Sequence, residues 1–272
     1  MSLVVNTNLQ AMNSLNRLGQ TNHQLSKVFE RLSSGLRINR AADDAAGLGM
    51  AESFDAEYRS MRQAGRNAND AISMVQVAEG AFNEVANILK RIKELAVQSA
   101  SETLGSVERS FVGDEKDALL REMNRIFLVT EFNGVSLLAG AASAISVQVG
   151  ASASANDRMS IDLTDWTPQT LRNNLTALGM NFNLSTASGA QAMLATVDLV
   201  LASVNADRSK LGAVTNRLES AIRNISTYTE NIAAAKSRIL DADFAYETAQ
   251  MAKYQILQQS GVAVLGQANA VN

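Results

Sequence analysis

The chain has no cysteine, one proline (Pro168) and one histidine (His23), and aromatic residues make up 5% of its 272 positions. Each absence closes a class of protein. Without cysteine there is no disulfide scaffold and no thiolate zinc site, so stability has to come from packing alone. His23 stands in a segment that also carries Arg17 and Lys27. A Ser-His-Asp triad would have one base to draw on, with no G-x-S-x-G turn beside a nucleophile and no H-E-x-x-H pair for a metal. The glycines lack the spacing and the lysine of a phosphate-cradling loop. Asp43-Asp44 and Asp241/Asp243 could be imagined as metal or acid/base pairs, but acids at such positions more often cap helices or bridge them. No catalytic residue, metal site or cofactor is expected.

Strong net charge is also missing. The formal charge is −3 and the pI near 5.3, which gives no general attraction to nucleic acid or acidic lipid. The first residues, Met1-Ser-Leu-Val-Val-Asn, show no basic n-region or apolar run of the secretory type. The uncharged stretches near 132–156, 173–197 and 254–272 are each broken by Ser, Asn, Gln or Gly, so none reads as a membrane span. The expectation is a soluble chain, or one that leaves the cell by a route without a cleaved signal.

What is present is a long heptad pattern. From Val197 to Ile239 an apolar residue returns every seventh position: Val197, Val204, Leu211, Leu218, Ile225, Ile232 and Ile239. Three residues after each stand Val200, Asp207, Val214, Ala221, Tyr228, Ala235 and Ala242, with Asp207 as the break. A 3-4 spacing of this kind is the seam of a coiled coil. At 1.5 Å per residue the run makes a helix of about 65 to 70 Å. A second run in the same register, Met61, Ala68, Val75, Phe82, Leu89 and Ala96, interleaves with Ala64, Ala71, Ala78, Val85 and Ile92. Two such stripes most simply bury each other, although periodicity leaves open that each helix belongs to an ordinary bundle.

In chain order, residues 1–40 read as one amphipathic helix with a Thr7/Gln10 capping box, carrying Leu9, Met12, Leu15, Leu18, Leu25, Val28, Phe29, Leu32 and Leu36. Its five cations, Arg17, Lys27, Arg31, Arg37 and Arg40, face the single acid Glu30. No aromatic platform accompanies them, so a solvated face, or one that meets acids on a neighbouring chain, is favoured over nucleic-acid binding. Asp43-Asp44 caps a helix running to about Ser99, whose Gly47, Gly49, Gly65 and Gly80 suggest close helix approach. Ser106 caps a third helix reaching about Phe127. The period then changes to two, with Ile145, Val147 and Val149 and then Met159, Ile161 and Leu163 forming a hairpin across an Ala/Ser loop. Trp166 and Pro168 close this part, and a Ser188/Gln191 capping box opens the long helix. After Ile239 the helical pattern continues through Phe244, Met251, Tyr254, Leu257, Val264, Leu265 and Ala268, with Asp241, Asp243 and Glu247 against Lys253. The two chain ends carry opposite charge and apolar stripes suited to pairing with each other or with other copies. The fold class is mainly α: a long antiparallel coiled-coil or helix bundle with a small β-hairpin region.

Several segments also carry a family signature. They are Leu32-Ser-Ser-Gly-Leu-Arg-Ile-Asn39 followed by Ala41-Ala-Asp-Asp-Ala-Ala-Gly-Leu48, then Ala68-Asn-Asp-Ala-Ile72, Lys93-Glu-Leu-Ala-Val-Gln-Ser-Ala100 and Glu131-Phe-Asn-Gly134. Leu211-Gly-Ala-Val-Thr-Asn-Arg-Leu-Glu219 and Ser237-Arg-Ile-Leu-Asp-Ala-Asp-Phe-Ala245 follow near the other end. In this order the chain resembles bacterial flagellin over essentially its whole length. The resemblance implies an inner coiled-coil domain from residues 1–42 and 235–272. It implies a helical-bundle domain over 43–234 with the hairpin near 132–165, and no outer variable domain. It also implies an exported, extracellular subunit of the motility filament, polymerising with its own kind. Its helpers would be an export chaperone, the type III export apparatus, the filament cap and hook-associated proteins.

On this reading Leu9, Leu15, Leu25, Leu32, Ile256, Leu257, Val264 and Leu265 serve self-assembly, while Val75, Phe82, Leu89, Leu211, Leu218, Ile225 and Ile232 form the long-helix seam. Arg91, Leu95 and Glu115 match the contacts of flagellins sensed by a vertebrate Toll-like receptor; the bland alternative is an ordinary surface leucine between solvated charges. The alternative function is a hook-filament junction protein, which shares the helical ends. A coiled-coil adaptor would have to explain the matching chain ends, and an enzyme would have to work with one histidine. The terminal segments, about residues 1–40 and 240–272, are expected to order fully only on polymerisation, because one chain cannot bury their stripes.

Overall fold

In the computed structural model, residues 8–139, 144–162, 184 and 186–270 are described, and the expected positions Thr7, Leu163, Trp166 and Pro168 lie outside them. The described residues form helices α1 (Leu9–Ser34), α2 (Ala45–Ala100), α3 (Ser106–Val129), α4 (Ala187–Leu240) and α5 (Phe244–Ala270). Between α3 and α4 lie β1 (Glu131–Phe132), β2 (Val135–Ser136), β3 (Ile145–Gln148) and β4 (Arg158–Ile161). The chain is mainly α, with two small antiparallel strand pairs. It divides into two compact units: Met1–Arg59 with Thr229–Asn272, and Ser60–Tyr228. The divisions fall inside α2 and α4, so the expected boundaries at 42/43 and 234/235 both lie within the first unit.

In the second unit the heptad stripes meet. Val75, Phe82 and Leu89 of α2 and Val197, Val200, Val204, Leu211 and Leu218 of α4 are all fully enclosed in one apolar cluster. An ion pair joins Lys93 to Asp198, and Gly65 faces Ile225, whose Cγ2 would stand 3.6 Å from an added Cβ. As the number rises on α2 it falls on α4, so the two helices run antiparallel here. Asp207, the break in the seam, is buried and pairs with Lys210 at 3.4 Å. An 18-residue window of α4 has mean hydropathy 1.4, apolar enough by length and composition to cross a membrane. Its buried Ala190, Met193, Val197 and Val200 instead join the cluster, and its Asp198 is paired.

Helix α3 closes over this core with Val112, Met123 and Phe127. Arg109 ties it to the end of α2, donating from Nε to the Ser99 carbonyl at 3.1 Å and from Nη2 to the Ser101 carbonyl at 2.8 Å. These contacts satisfy carbonyls that a helix terminus leaves without partners. After α3, Asn133 (φ 49°) and Gly134 (φ 76°) form the positive-φ turn of the β1–β2 hairpin, the residue pair such a two-residue turn favours. The second pair has the register Ile145↔Ile161 to Gln148↔Arg158, and it points Val147 and Ile161 into the core.

Several boundaries move from their expected places. The first helix stops at Ser34, where Gly35 (φ 71°) takes the left-handed conformation and donates to the Arg31 carbonyl. Its N-cap is Asn8, whose Oδ1 accepts the Ala11 N–H at 3.0 Å, in place of Thr7. The cap of α4 is Thr186, whose Oγ1 accepts the Gly189 N–H at 3.2 Å; Ser188 is already inside the helix. Ser106 is the first helical residue of α3, and the preceding Gly105 makes no side-chain cap bond. At α1 and α4 a neighbouring Asn or Thr side chain reaches the free N–H groups, a choice that the spacing rule cannot make. The glycine expectation also changes. At Gly47 a Cβ would overlap the Asp44 carboxylate and Ile38 Cδ1, both in its own cap loop, whereas Gly49 and Gly80 face open space.

Phe82→Ala, which empties a fully enclosed site, should lower stability by about 3–5 kcal/mol. Leu199→Ala on the exposed side of α4 should stay within about 0.5 kcal/mol. Urea denaturation of the full chain, followed by circular dichroism, separates the two outcomes.

Candidate functional site

The first unit contains the paired chain ends. Asn8 Nδ2 donates to the Ala268 carbonyl at 2.9 Å, Gln258 Nε2 to Asn22 Oδ1 at 2.9 Å, and Arg31 Nη1 to Glu247 Oε1 at 3.1 Å. Helices α1 and α5 therefore run antiparallel along their length. Leu18 packs on Gly261, with 3.3 Å between its Cδ1 and the place a Cβ would take. The far end of the hairpin is clipped by backbone. Arg37 N–H donates to the Leu240 carbonyl at 2.6 Å and Ala242 N–H to the Gly35 carbonyl at 3.0 Å, a bridge that pairs Leu36 with Asp241. Arg37 Nη2 adds a bond to the Ile239 carbonyl at 2.6 Å.

Acids organise the helix starts around this clip. Asp44 Oδ1 accepts the Gly47 N–H at 2.9 Å, and Asp243 Oδ1 accepts from Ala245 and Tyr246 at 2.9 and 3.1 Å. Asp44 and Asp243 are thus structural caps. Asp43 Oδ2 instead accepts the Asn39 and Arg40 N–H groups of the turn before α2 at 3.3 and 3.2 Å and caps no helix. Asp241 Oδ2 takes the Ser237 hydroxyl at 2.6 Å. Among the described residues no group of three or more His, Cys, Asp or Glu could hold a metal ion. The opposite charges of the two chain ends meet at Arg31–Glu247, with Glu247 itself only 3% exposed. Arg40 and Lys27 turn to Glu30 and Asp43 within the N-terminal segment instead.

Asp55 on α2 is held between two cations, Lys236 and Arg59, the latter at 2.6 Å. The hydrogen bond from Lys236 is the largest influence and keeps the Asp55 carboxyl below its ordinary value; partial burial opposes this, and the charges of Lys236 and Arg59 reinforce it.

The assembly candidates divide by face. Leu25 is buried between the paired helices, and Leu32 and Leu265 are half-buried. Leu9 (65% exposed), Leu15, Ile256 (63%), Leu257 and Val264 point outward, together with Met12, Phe29, Phe244, Tyr246 and Val262. On α5 these outward residues surround the helix rather than lining one stripe. The seam candidates Val75, Phe82, Leu89, Leu211 and Leu218 are fully enclosed, with Ile225 and Ile232 nearly so.

The proposed receptor triplet is not brought to one surface. Arg91 donates from Nε and Nη2 to Glu115 Oε1 at 2.9 and 2.8 Å, and from Nη1 to Glu94 Oε2 at 3.0 Å, all three side chains being solvent-exposed. The Glu115 contact, then Glu94, raises the Arg91 pKa above its ordinary value. Leu95 is 1% exposed and belongs to the core cluster with Ile92, Val112 and Met123. The expectation of Leu95 as a surface residue is corrected: packing against the rest of the second unit turns it inward.

Sequence reasoning missed the Leu36/Asp241 clip, the Arg109 tie and the Asp55–Lys236 pair. An Asp just before an apolar run signals the Asp243 cap, but long-range bonds to backbone carry no local pattern.

A helical subunit whose two chain ends form one hairpin and leave its apolar outer faces uncovered is, by class, built to be completed by other chains. The chain belongs to the bacterial flagellin family. The family model for the bacterial flagellin N-terminal helical region matches residues 5–143, and that for the C-terminal helical region matches residues 194–272. A flagellin of Halalkalibacterium halodurans is 41% identical over 98% of this chain and 96% of its own length. A flagellin of Bacillus subtilis is 38% identical over 97% and 96%. Among solved structures, the crystal structure of Bacillus cereus flagellin aligns at TM-score 0.51 and 27% identity, over 63% of this chain and 94% of that one. A putative flagellar hook-associated protein of Vibrio parahaemolyticus aligns at TM-score 0.61 with 14% identity, covering 73% of this chain and 100% of that one, a likeness of fold alone.

The Asp55 carboxyl has a lowered pKa in the folded state, so the stability it contributes is present above the ordinary carboxylate pKa and is lost as pH falls through the lowered value. Lys236→Met should raise the Asp55 midpoint toward the ordinary range in an NMR titration of the side-chain carboxyl. An unchanged midpoint would show that Lys236 does not set it.

Proposed function

We propose that this chain is the structural subunit of a bacterial flagellar filament, polymerised through its terminal helices with copies of itself. The observation that carries the reading is α5: its apolar residues lie all round the helix, α1 covers one side, and Ile256, Leu257, Val262 and Val264 remain exposed. A helix apolar on every side belongs in an interior, and further copies of the same hairpin can supply one. Full-length identity to flagellins supports this reading over a hook-filament junction protein, for which the likeness is one of fold at 14% identity. In this reading the subunit is exported unfolded through the type III apparatus with a chaperone. It is placed under the filament cap beyond the hook-associated proteins and ends in the extracellular flagellum. The role is structural rather than enzymatic. Monomer added to sheared filament seeds should grow long filaments under the electron microscope, and a variant lacking residues 241–272 should grow none. A full chain that stays monomeric on such seeds would contradict the reading.

A second reading concerns recognition by a vertebrate Toll-like receptor. The exposed Arg91–Glu115 network supports it, with Leu95 acting from beneath as support for the helix. Arg91→Ala should weaken signalling in receptor reporter cells while leaving seed elongation intact, and unchanged signalling would remove this surface from consideration.

A further inference from the structure

Two methionines among the described residues are strongly exposed, Met12 at 56% and Met50 at 52%, while Met74, Met123 and Met193 are at 5%, 0% and 0%. Met61, Met159 and Met251 are intermediate. A thioether is oxidised according to access, so a small oxidant reaches Met12 and Met50 first. Their surroundings differ. Met12 is one helical turn from Leu9 (65% exposed) and Leu15 (53%), on the side of α1 away from the buried Ala11, Leu25 and Val28. Met50, in the first turns of α2, is one turn from Ala46, Gly47, Ser53 and Phe54, where no exposed leucine stands.

We propose that Met12 is an oxidation site whose state decides whether the subunit can add to a filament. The oxidant is of the peroxide class: hydrogen peroxide transfers one oxygen atom to the Met12 sulfur, the thioether is oxidised by two electrons to a sulfoxide, the peroxide O–O bond breaks, and water leaves. The product replaces an apolar side chain by a polar, chiral one in the middle of a leucine stripe. When another copy covers that stripe, the sulfoxide oxygen is taken out of water among leucines, and burial of an unsatisfied acceptor opposes the contact. Met50 sulfoxide stays on a surface with no such stripe and leaves addition unaffected. The inference rests on the assembly reading above, since it needs the outward face of α1 to be covered in the filament.

The test uses the full chain and three forms of it: unaltered, Met12→Leu and Met50→Leu. Monomer is treated with graded hydrogen peroxide, quenched, mapped by peptide mass spectrometry for the added oxygen, and offered to untreated seeds. Met12 and Met50 should oxidise before the buried methionines. Elongation by the unaltered chain and by Met50→Leu should then fall by about tenfold, the scale of one unsatisfied buried polar group, while Met12→Leu keeps its untreated rate. Met12 in finished filaments should oxidise more slowly than in monomer. Full elongation by monomer with Met12 wholly oxidised, an equal loss in Met12→Leu, or equal oxidation rates in filament and monomer would each overturn the proposal. If the untreated chain fails to elongate seeds, the assembly reading itself falls and this inference falls with it.

Discussion

Helix α5 carries more apolar surface than a single partner helix can cover, and this constraint runs through the whole of the first unit. A helix–helix contact buries one stripe of each partner, about a third of the circumference. Helix α1 takes the side of α5 that holds Glu247, Gly261 and Leu265, and Ile256, Leu257, Val262 and Val264 are left outside. In an isolated globule these leftovers would be a defect. In the assembly proposed above, they are the surface that other copies would cover.

The second unit shows the opposite arrangement. Its seam residues from Val75 to Leu89 and from Val197 to Leu218 are closed to solvent, and α3 with the β3–β4 pair covers the remaining side. This unit closes an apolar core of its own, and Arg109 ties down the α2 terminus. The first unit instead depends on directional bonds at its ends: the Leu36/Asp241 bridge, the caps at Asn8, Asp44 and Asp243, and the Arg31–Glu247 pair. Backbone clips and caps fix the geometry of a hairpin without needing a large core, so its outer faces can stay free for other chains.

The long helices and the faces they bury were readable from period, because Leu211 and Leu218 recur at heptad spacing and the structure buries them. Period left open whether each helix belonged to a coiled coil or to an ordinary bundle. The caps were harder. Thr186, Asn8 and Asp243 compete with nearby Ser, Thr and Asp residues that satisfy the same local rule, and the choice among them is made by where the chain turns. Leu95 shows where period fails. It sits next to the seam residues Ile92 and Ala96 and looks like a helix-surface leucine, yet the rest of the second unit packs over it. The outward set on α1 and α5 was partly legible: the leucines were evident in the sequence, but which of them pair inside one chain, such as Leu25, and which face out, such as Leu9 and Ile256, followed only from the helix pairing.

The most direct test is amide hydrogen exchange, followed residue by residue, on the monomer and on filaments grown from it. Local stability follows buried apolar contacts, and those differ sharply between the two units. The account predicts rapid exchange through α1 and α5 in the monomer, strong protection of the same helices in the filament, and protection of the Val75–Leu89 and Val197–Leu218 cores in both. Terminal helices already protected in the monomer to the level of that core, or unprotected in the filament, would contradict the claim that other subunits complete the first unit.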